Sequence, residues 1–403
     1  MQPTTHSAPI SFEDFKSDPS AATKRLRGLG PVVYLNDIDR WVITHYAAVK
    51  DVLRSDLAAS GDGNNSGLPL INRNGPRHRT VRRGVNNGIS ATALEVVERH
   101  LRNYTRTSIQ RSLVKPRIDG VADLANPVVH QMYNLLFAST FQDHAARPRW
   151  NESIVTHGWL DERPPSALQN MRRALVRKKR QLIEPTYADY QEVKSAVAEH
   201  FVLAARSSQS SPLTRELLTM HDSGAIDKNE LIGIGLEFVF ATSEAPAATI
   251  SGVLRHLSSQ PDRFNTLQSE PDLIKPFIEE VLRFESPGQW LRRVALGDMV
   301  VADQLIPKGS FILNLISSAN RDELVFQSSD SFVPDRAPNP HLAFGFGPHA
   351  CPGAQLTRLQ ARIFVEELLT QVRSIERVAP IHTDQYQWRF AIRSLARLEL
   401  SLR

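Results

Sequence analysis

The sequence contains a single cysteine, Cys351, among its 403 residues. A disulfide bond within the chain is therefore impossible, and so is a zinc site built from several cysteines. A lone cysteine is most often a small buried hydrophobic residue. Any other role for Cys351 has to be argued from its neighbours.

Other features are also missing. The polar stretch from Met1 to Ser20 contains no apolar signal-peptide core and no run of about 20 apolar residues, so we expect a cytoplasmic protein without a membrane anchor. The formal charge of +5 is small for this length and does not indicate nucleic-acid binding. The densest basic run, Arg172 to Arg180, is either a solvated helix face or a docking surface for an acidic partner or an anionic substrate.

The chain has no internal repeat and no long linker, so we expect one domain over residues 1–403. Asp227 and Glu230 have the spacing of a capping box at the start of a long apolar segment that runs to Leu257. Strand and helix patterns do not alternate, which favours a mostly α fold with a small β region. The other predicted elements are a strand at 41–45, a helix at 47–53, a loop at 55–76, helical patterns from 78 to about 205, a helix at 271–283, short strands at 300–316 around a turn at 307–309, and a helix at 355–371.

A glycine-rich stretch leads into the cysteine and reads Phe344-Gly-Phe-Gly-Pro-His349-Ala-Cys351-Pro-Gly353. Glycines permit tight turns and a close approach of the backbone to a flat ligand. Cys351 lies just before an apolar helix, where backbone N–H groups and the helix dipole favour a thiolate. Phe344 can shield the site from water, and His349 supplies a cation or a hydrogen-bond donor.

This stretch resembles the heme-binding signature of the cytochrome P-450 family. The resemblance implies heme b as cofactor, with the thiolate of Cys351 as the proximal iron ligand that favours cleavage of the O–O bond. The alternative is an inert buried cysteine in a glycine-rich turn. The residues of this loop that the resemblance assigns to the cofactor are Phe344, Gly345, His349, Cys351 and Gly353.

A second stretch, Glu280-Val-Leu-Arg283, is similar to the family's Glu-x-x-Arg pair. A spacing of three residues puts both side chains on one face of a helix. The family uses this pair in a buried charged network with a downstream arginine, and the matching residue here is Arg336.

The resemblance extends from about Trp41 to Arg397 and includes cations for the two heme propionates. His78 and Arg82, four residues apart, match a helix whose His and Arg pair with these carboxylates, and Arg293 matches a third partner. Cations are needed there because buried carboxylates are costly unless they are paired. Arg292 is an extra cation, either a substrate contact or simply exposed.

The sequence departs from the family in the middle of the long apolar segment. The usual pattern there is Ala-Gly-x-Glu/Asp-Thr-Thr, whereas this chain has Ala241-Thr-Ser-Glu244-Ala245-Pro246. The acid is kept as Glu244, but Ala245 replaces the alcohol whose hydroxyl helps to deliver protons to dioxygen in the family. Pro246 cannot donate an N–H to the carbonyl four residues earlier, so we expect a kinked helix with a carbonyl open to water or a substrate hydroxyl.

Substitute hydroxyls for proton delivery are available at Thr242 and Ser243, although Ser243 can also point away from the site. The catalytic candidates are therefore Glu244, Ala245, Thr242 and Ser243. A disabled enzyme is the alternative to another proton route. By position in the family, the substrate pocket is predicted to include Leu70, Phe238, Ala241, Trp290, Leu291, Arg292, Trp388 and Phe390, although such aromatic residues are also common in a plain core.

Taken with the resemblance, the sequence implies the triangular P-450 fold with a long central helix over the heme. The implied function is monooxygenation of a small natural product, apolar or aromatic, in secondary metabolism. Electrons would come from NAD(P)H through a separate ferredoxin or flavodoxin and its reductase, and we expect a monomer that uses dioxygen. The alternatives are oxidative C–C or C–O coupling on the same heme, and a non-catalytic P-450-like domain that recruits a partner protein.

Overall fold

The computed structural model describes residues 10–61, 68–139, 146–158, 187–208 and 210–403. The basic run from Arg172 to Arg180 lies outside the described residues. The described part is mostly helical with small sheets, which confirms the predicted fold class.

The helices predicted at 47–53, 271–283 and 355–371 are present with ends within a few residues of those bounds, whereas the helices at 12–17, 19–29, 212–222, 261–269 and 316–319 were not predicted. In chain order they are α1 (Phe12–Ser17), α2 (Pro19–Leu29), α3 (Tyr46–Arg54), α4 (Gly75–Gly88), α5 (Ala91–Leu113), α6 (Asn126–Phe137), α7 (Arg147–Gly158), α8 (187–205), α9 (Pro212–Asp222), α10 (Lys228–Ala241), α11 (Glu244–Ser259), α12 (Pro261–Ser269), α13 (Ile274–Glu285), α14 (Ile316–Ala319) and α15 (Ala354–Gln371).

The strands are short. In chain order they are β1 (Val32–Leu35), β2 (Arg40–Ile43), β3 (Ala58–Ala59), β4 (Ile118–Asp119), β5 (Trp290–Ala295), β6 (Met299–Val301), β7 (Gln304–Ile306), β8 (Phe311–Leu315), β9 (Ile375–Arg377), β10 (Tyr386–Arg389), β11 (Ile392–Leu395) and β12 (Glu399–Leu402). The predicted turn before β8 is present, since Ser310 N–H donates to the carbonyl of Pro307 at 3.1 Å.

The chain divides into two compact units. The first contains the described residues within 1–63, 94–132 and 243–403, and the second contains those within 64–93 and 133–242. Cys351 and the small sheets belong to the first unit, whereas α4 and α7 to α10 belong to the second.

The largest sheet of the first unit has the strand order β1-β2-β8-β5-β3. Its pairs are antiparallel except for the parallel pair β2–β8. Successive side chains of a strand point to opposite faces of the sheet. On β5, Leu291 therefore packs with the cluster that includes Leu342, while Trp290 packs with the cluster that includes Phe15.

The long apolar segment begins as predicted, because Asp227 and Glu230 form a complete capping box at the start of α10. The helical segment 228–259 contains an 18-residue window that is apolar enough to cross a membrane by composition, but 78% of that window is buried inside the protein. The long helix expected across this segment is present over residues 228–259, but it is interrupted at Thr242 and Ser243 instead of being kinked by Pro246. α10 ends at Ala241, and α11 starts at Glu244 after Ser243, whose φ of −108° and ψ of −69° depart from helical values.

The position of the break changes the role of Pro246. This proline lies in the first turn of α11, where backbone N–H groups have no helical acceptor in any case. Pro246 therefore removes no hydrogen bond from an intact helix, and Ala247 N–H already donates to the carbonyl of Ser243 at 3.1 Å. The sequence predicts that Pro246 frees the carbonyl of Thr242. Thr242 caps the end of α10, where carbonyls lack helical donors in any helix, so Pro246 is not the cause.

Candidate functional site

The loop that carries Cys351 is held closed by its own backbone. Cys351 N–H donates to the carbonyl of Phe344 at 2.8 Å. Gly345 and Gly347 have φ values of +70° and +73°, in the region that favours glycine. A Cβ on Gly347 would also lie 2.6 Å from the carbonyl oxygen of Leu53, so this turn needs glycine on two grounds.

Cys351 itself is exposed and lies three residues before α15, whose N-cap is Gly353. A Cβ on Gly353 would lie 3.8 Å from the Sγ of Cys351, so the backbone beside the sulfur is open. The helix terminus favours a thiolate at this position. Within the described ranges, no group of three or more His, Cys, Asp or Glu side chains is arranged to hold a metal ion. A metal at Cys351 would therefore need its other ligands from a cofactor, as heme iron does.

Behind the loop, Glu280, Arg283 and Arg336 meet as a buried triad. Glu280 accepts from Arg283 Nε at 2.7 Å and Nη2 at 2.8 Å, and from Arg336 Nε at 3.0 Å. Glu280 and Arg283 are completely buried, and Arg283 also donates to the carbonyls of Asn320, Ser329 and Ser331. Nearly all polar atoms of the pair are thus satisfied, which is the condition under which a buried ion pair is tolerated.

Hydrogen bonds connect this triad to the cysteine loop. The carbonyl of Asn320 accepts from Arg283, and the amide oxygen of Asn320 accepts from Leu342 N–H at 2.6 Å. The carbonyl of Leu342 accepts in turn from Gly345 N–H at 2.8 Å. The Glu280 triad therefore supports the backbone that presents Cys351.

A second set of charges on the same side was missed by the sequence reasoning. Glu279 accepts from Arg358 at 2.7 Å on each oxygen and is 3.0 Å from His341 Nε2. The Arg358 guanidinium lies over the Phe344 ring, 4.5 Å from its centroid. Burial acts to raise the pKa of Glu279, but the bonds to Arg358 and His341 outweigh it and hold the pKa at about 2. The available signals were the position of Glu279 beside Glu280 and of Arg358 on the helix after Cys351.

Arg293, predicted to bind a propionate, lies on β5 and is 3% exposed. Its Nη1 donates to the carbonyl of Arg292 at 2.7 Å, whereas its Nε has no hydrogen-bond partner among the described residues. Burial lowers the pKa of Arg293 to about 10. A buried guanidinium in this condition fits a carboxylate ligand, which a heme propionate would provide. Leu291, on the same face of β5, would lie 3.1 Å from a Cβ on Gly345 of the cysteine loop.

His78 and Arg82, the other predicted propionate partners, lie in the second unit on α4. Their spacing places them on one face of this helix. His78 is buried, and Arg82 is half-buried with its Nε 3.2 Å from the side-chain oxygen of Asn86.

The catalytic candidates fall on both sides of the break between α10 and α11. Thr242 belongs to the second unit, and its hydroxyl donates to the carbonyl of Phe238 at 2.7 Å. Ser243, Glu244 and Ala245 belong to the first unit. The carbonyl of Ala245 accepts from the hydroxyl of Thr249 at 2.9 Å. The Thr242 hydroxyl is thus already committed as a donor to its own helix.

Glu244 has a partner that the sequence reasoning did not find. Its Oε2 lies 3.5 Å from the Nε of Arg389, at the end of β10. The Glu244 side chain is 11% exposed and that of Arg389 is 26% exposed. No local sequence pattern connects two residues so far apart, so only the fold could reveal this pair.

Of the predicted pocket residues in the first unit, the tryptophans pack in the core. Trp290 stacks on Trp388 with ring centroids 5.6 Å apart, and both contact Phe15 of α1. These aromatic rings therefore join the N-terminal helix to β5 and β10, and their contact with a substrate stays a prediction. Leu291 lies at the cysteine loop.

Arg292 and Phe390, two further predicted pocket residues of the first unit, contact each other. The Arg292 guanidinium lies over the Phe390 ring, 5.4 Å from its centroid. Phe390 forms the tip of the hairpin with a φ of 53°, which is unusual for a residue other than glycine. Both side chains are half-buried, like that of Trp388, so they are better placed than the buried Trp290 to meet a ligand.

Leu70, Phe238 and Ala241 lie in the second unit, where one face of α10 holds a neighbouring segment in place. Glu230, Gly233 and Glu237 are three and four residues apart and share that face. Glu230 binds Arg73 and Arg77, a Cβ on Gly233 would lie 2.8 Å from Pro69, and Glu237 accepts from the N–H groups of Leu70 and Ile71 at 2.8 Å. We call this arrangement the 68–77 clamp.

Glu237 is the buried member of this clamp, at 2% exposure. Burial raises its pKa to about 8, although the N–H groups of Ile71 and Leu70 act in the opposite direction. Glu237 and Glu279 thus have pKa values displaced in opposite directions.

Comparison with known proteins supports the resemblance to the cytochrome P-450 family. A family model described as cytochrome P-450 matches residues 27–385. Cytochrome P-450 109 of Bacillus spizizenii is 27% identical over 362 residues, which cover 88% of this chain and 84% of that protein. The beta-dihydromenaquinone-9 omega-hydroxylase of Mycobacterium tuberculosis is 28% identical over 375 residues, which cover 90% and 72%. The crystal structure of CYP109E1 from Bacillus megaterium in complex with corticosterone matches with a TM-score of 0.81 and 25% identity, over 97% of this chain and 99% of that one.

Proposed function

Since the chain belongs to the cytochrome P-450 family, whose members are heme-thiolate monooxygenases, we propose that it oxidises a small natural product in secondary metabolism. Heme b is the proposed cofactor, and Cys351 is the proposed axial ligand of its iron. The observation that carries the proposal is the exposed thiol of Cys351 on a glycine-rich turn at the start of α15.

The residues present fit such a cofactor. Gly353 places a residue without a side chain beside the sulfur, and the ring of Phe344 lies under the guanidinium of Arg358. Arg293 offers a buried guanidinium to a carboxylate, and His78, Arg82 and His349 are the further proposed partners. When bound, the heme supplies the activation of dioxygen.

Proton delivery is the task we propose for the residues at the break between the two helices. Ala245 has no hydroxyl, and the hydroxyl of Thr242 already donates to Phe238. Glu244 is the ionisable group at this point, so we propose that it transfers protons through water or through a polar group of the substrate. Leu70, Phe238, Ala241, Trp290, Leu291, Arg292, Trp388 and Phe390 are the proposed pocket residues.

The setting follows from the family. We propose a monomeric cytoplasmic enzyme with one cytochrome P-450 domain, which binds neither membranes nor nucleic acid. Its electrons would come from NAD(P)H through a ferredoxin or flavodoxin and the matching reductase. The match over residues 27–385 includes segments of both compact units, which supports treating them as one family domain.

Ala245 supports a second candidate reaction. Without the family's alcohol, the oxidising power of the site can be used to join two aromatic groups through a C–C or C–O bond. Product mass separates the two reactions, because hydroxylation adds one oxygen atom whereas coupling removes two hydrogen atoms. A partner-recruiting domain without catalysis is the remaining alternative, and a protein that takes up no heme would point to it.

The experiment that tests the proposed cofactor is the carbon monoxide difference spectrum of the reduced protein. We expect the red-shifted Soret band that a thiolate ligand produces. A heme-loaded, folded protein without that band would overturn the assignment of Cys351. Substrates are then found from the low-spin to high-spin shift of the heme across a panel of aromatic and apolar compounds.

A further inference from the structure

We propose that Arg389 is a positioning residue for Glu244, and that the β10–β11 hairpin thereby sets the geometry of proton transfer. This inference deepens the proposed function and rests on it. Arg389 acts through Glu244 rather than on the substrate.

The first support is the pair itself. Glu244 Oε2 and Arg389 Nε are 3.5 Å apart, and both side chains are largely buried. Glu244 is the first residue of α11. An ion pair in a partly buried place is stronger than one on the surface, because less water screens it. The guanidinium is therefore placed to influence the direction in which the carboxylate points.

The second support is the rigidity of the hairpin that carries Arg389. Arg389 lies opposite Ile392 at the closed end of the hairpin. Trp388, the residue before Arg389, donates its indole N–H to the carbonyl of Lys16 at 3.1 Å. Behind the tip, Gln289 N–H donates to the carbonyl of Ala391 at 2.8 Å. A cation on such a fixed strand has a defined position.

The third support is the side chain that follows Arg389. Phe390 forms the tip of the hairpin in a left-handed conformation, and its ring lies under Arg292. Phe390 and Arg292 are both proposed pocket residues. A ligand that contacts Phe390 thus touches the residue next to Arg389. Substrate contact and the position of the acid are therefore linked through one peptide bond.

The consequence concerns the balance of the reaction. Productive turnover uses two electrons and two protons for each dioxygen molecule and yields one hydroxylated product and one water. When the second proton arrives too slowly, the same electrons and protons leave as hydrogen peroxide. A misdirected Glu244 carboxylate therefore favours peroxide over product.

The test uses the heme-loaded protein and a reaction that needs no identified substrate. Hydrogen peroxide is the oxidant and guaiacol the electron donor: each peroxide takes one electron from each of two guaiacol molecules and is reduced, with two protons, to two waters. The loss of one proton from each guaiacol balances those two protons. A carboxylate that takes a proton from one peroxide oxygen and returns it to the other speeds this reaction as a general acid–base catalyst.

We expect Arg389→Gln to lower kcat about 10-fold with little change in KM, and Glu244→Gln to lower it about 100-fold, within the general acid–base range. Arg389→Lys should recover most of the activity because it restores the cation. The double variant should be no slower than Glu244→Gln alone, since Arg389 acts through the carboxylate. Arg397→Gln is the matched control: Arg397 is 67% exposed and pairs with Glu399, so its kcat should equal that of the wild type.

A spectroscopic readout accompanies the rates. The C–O stretching band of the reduced carbon monoxide complex senses polar groups near the ligand. We expect Arg389→Gln to broaden or shift this band in the wild-type background and to leave it unchanged in the Glu244→Gln background. Equal bands in wild type and Arg389→Gln, or equal losses of kcat in both backgrounds, would overturn the role of Arg389.

Failure of the proposed function gives a different result. A wild-type protein without the thiolate carbon monoxide spectrum would refute the cofactor assignment, whatever the variants do. With that spectrum present, unchanged rates in Arg389→Gln refute only the positioning role. If Arg389→Gln does not take up heme, the comparison of Arg389→Lys with Arg389→Met decides: equal rates in these two variants would refute a role for the cation.

Discussion

The charges behind the cysteine loop and the charges at the start of α11 are held in different ways. Glu280 is completely buried and accepts from two arginines, from Asn339 and from the N–H of Val333, at 2.7–3.1 Å. Glu244 is paired with Arg389 at 3.5 Å, and both side chains retain some exposure. The first region therefore resists any rearrangement. In the second, the described ion-pair partner of the carboxylate lies at a longer distance, so loss of Arg389 is expected to redirect it.

The largest effect is expected at the cysteine. Cys351→Ser should abolish the thiolate spectrum and turnover, because a neutral hydroxyl is a poor ligand for this iron. Cys351→Ala should do the same and retain heme more weakly. Carbon monoxide difference spectra and heme content measure both effects. Wild-type turnover in Cys351→Ala would contradict the assignment.

The next largest effect tests the rigid region. Glu280→Ala or Arg283→Ala leaves a buried charge without its partner, at a cost of roughly 3–5 kcal/mol. We expect mostly insoluble or heme-free protein, measured as the yield of soluble protein and its heme content. Lys24→Ala breaks an exposed pair with Asp330 and serves as the control, with an expected change of at most about 1 kcal/mol. Soluble, fully loaded Glu280→Ala would show that the triad is dispensable.

Acid titration sharpens the comparison further, through Glu279. The pKa of this carboxylate is lowered to about 2, with burial opposing the bonds from Arg358 and His341. A carboxylate whose pKa is lower in the folded state than in the unfolded state stabilises the fold at pH values above its unfolded-state pKa. This stabilisation is lost as the pH falls through its folded-state pKa. The difference in unfolding free energy between wild type and Glu279→Gln should therefore shrink from pH 5 toward pH 2. Urea unfolding at several pH values measures it, and a difference independent of pH would contradict the pairing.

Glu237 in the 68–77 clamp should behave in the opposite way. Burial raises its pKa to about 8, so its favourable state is the protonated one. Its contribution to the free energy of unfolding is complete below its unfolded-state pKa and is lost as the pH rises through its folded-state pKa of about 8. We expect Glu237→Gln to gain stability relative to wild type between pH 5 and pH 9. A stability difference that does not change over that range would mean that the N–H groups of Leu70 and Ile71 keep Glu237 ionised.

The smallest effect is expected at Ala245, the residue after Glu244. If a polar group of the substrate helps to carry the proton, analogues that lack this group should bind but release their electrons as peroxide. Ala245→Thr should restore the yield of product per NAD(P)H for those analogues and change this yield little for the native substrate. Product formed per NAD(P)H consumed is the measurement. An equal yield of product per NAD(P)H for all analogues in the wild type would refute a role for the substrate in proton transfer.

The cysteine loop and the Glu280 pair are recognisable in the sequence because each is local. Three glycines and a cysteine within ten residues, or a Glu and an Arg three residues apart, can be read without knowing the fold. The same is true of the capping box at Asp227, which the structure confirms. Local spacing is sufficient where the contacting groups lie on one turn or one helix.

The break before Glu244 and the pairs of Glu279 and Glu244 could not be read in this way. Most residues of α10 are apolar and no helical periodicity marks where it ends, so the sequence places the expected kink at Pro246 rather than at Thr242 and Ser243. Arg389 is more than a hundred residues from Glu244 in sequence, and Arg358 is 79 residues from Glu279. Such pairs depend on packing, which composition and spacing do not encode.

The 68–77 clamp has a consequence for how this protein can change over generations. Each residue of a helix is rotated about 100° from the one before it. A single insertion or deletion in α10 between Glu230 and Glu237 would turn one end of the stripe away from the other and release at least one of the three attachments. The segment carrying Leu70 can therefore diversify by substitution, whereas changes of length in this part of α10 should be rare among functional descendants.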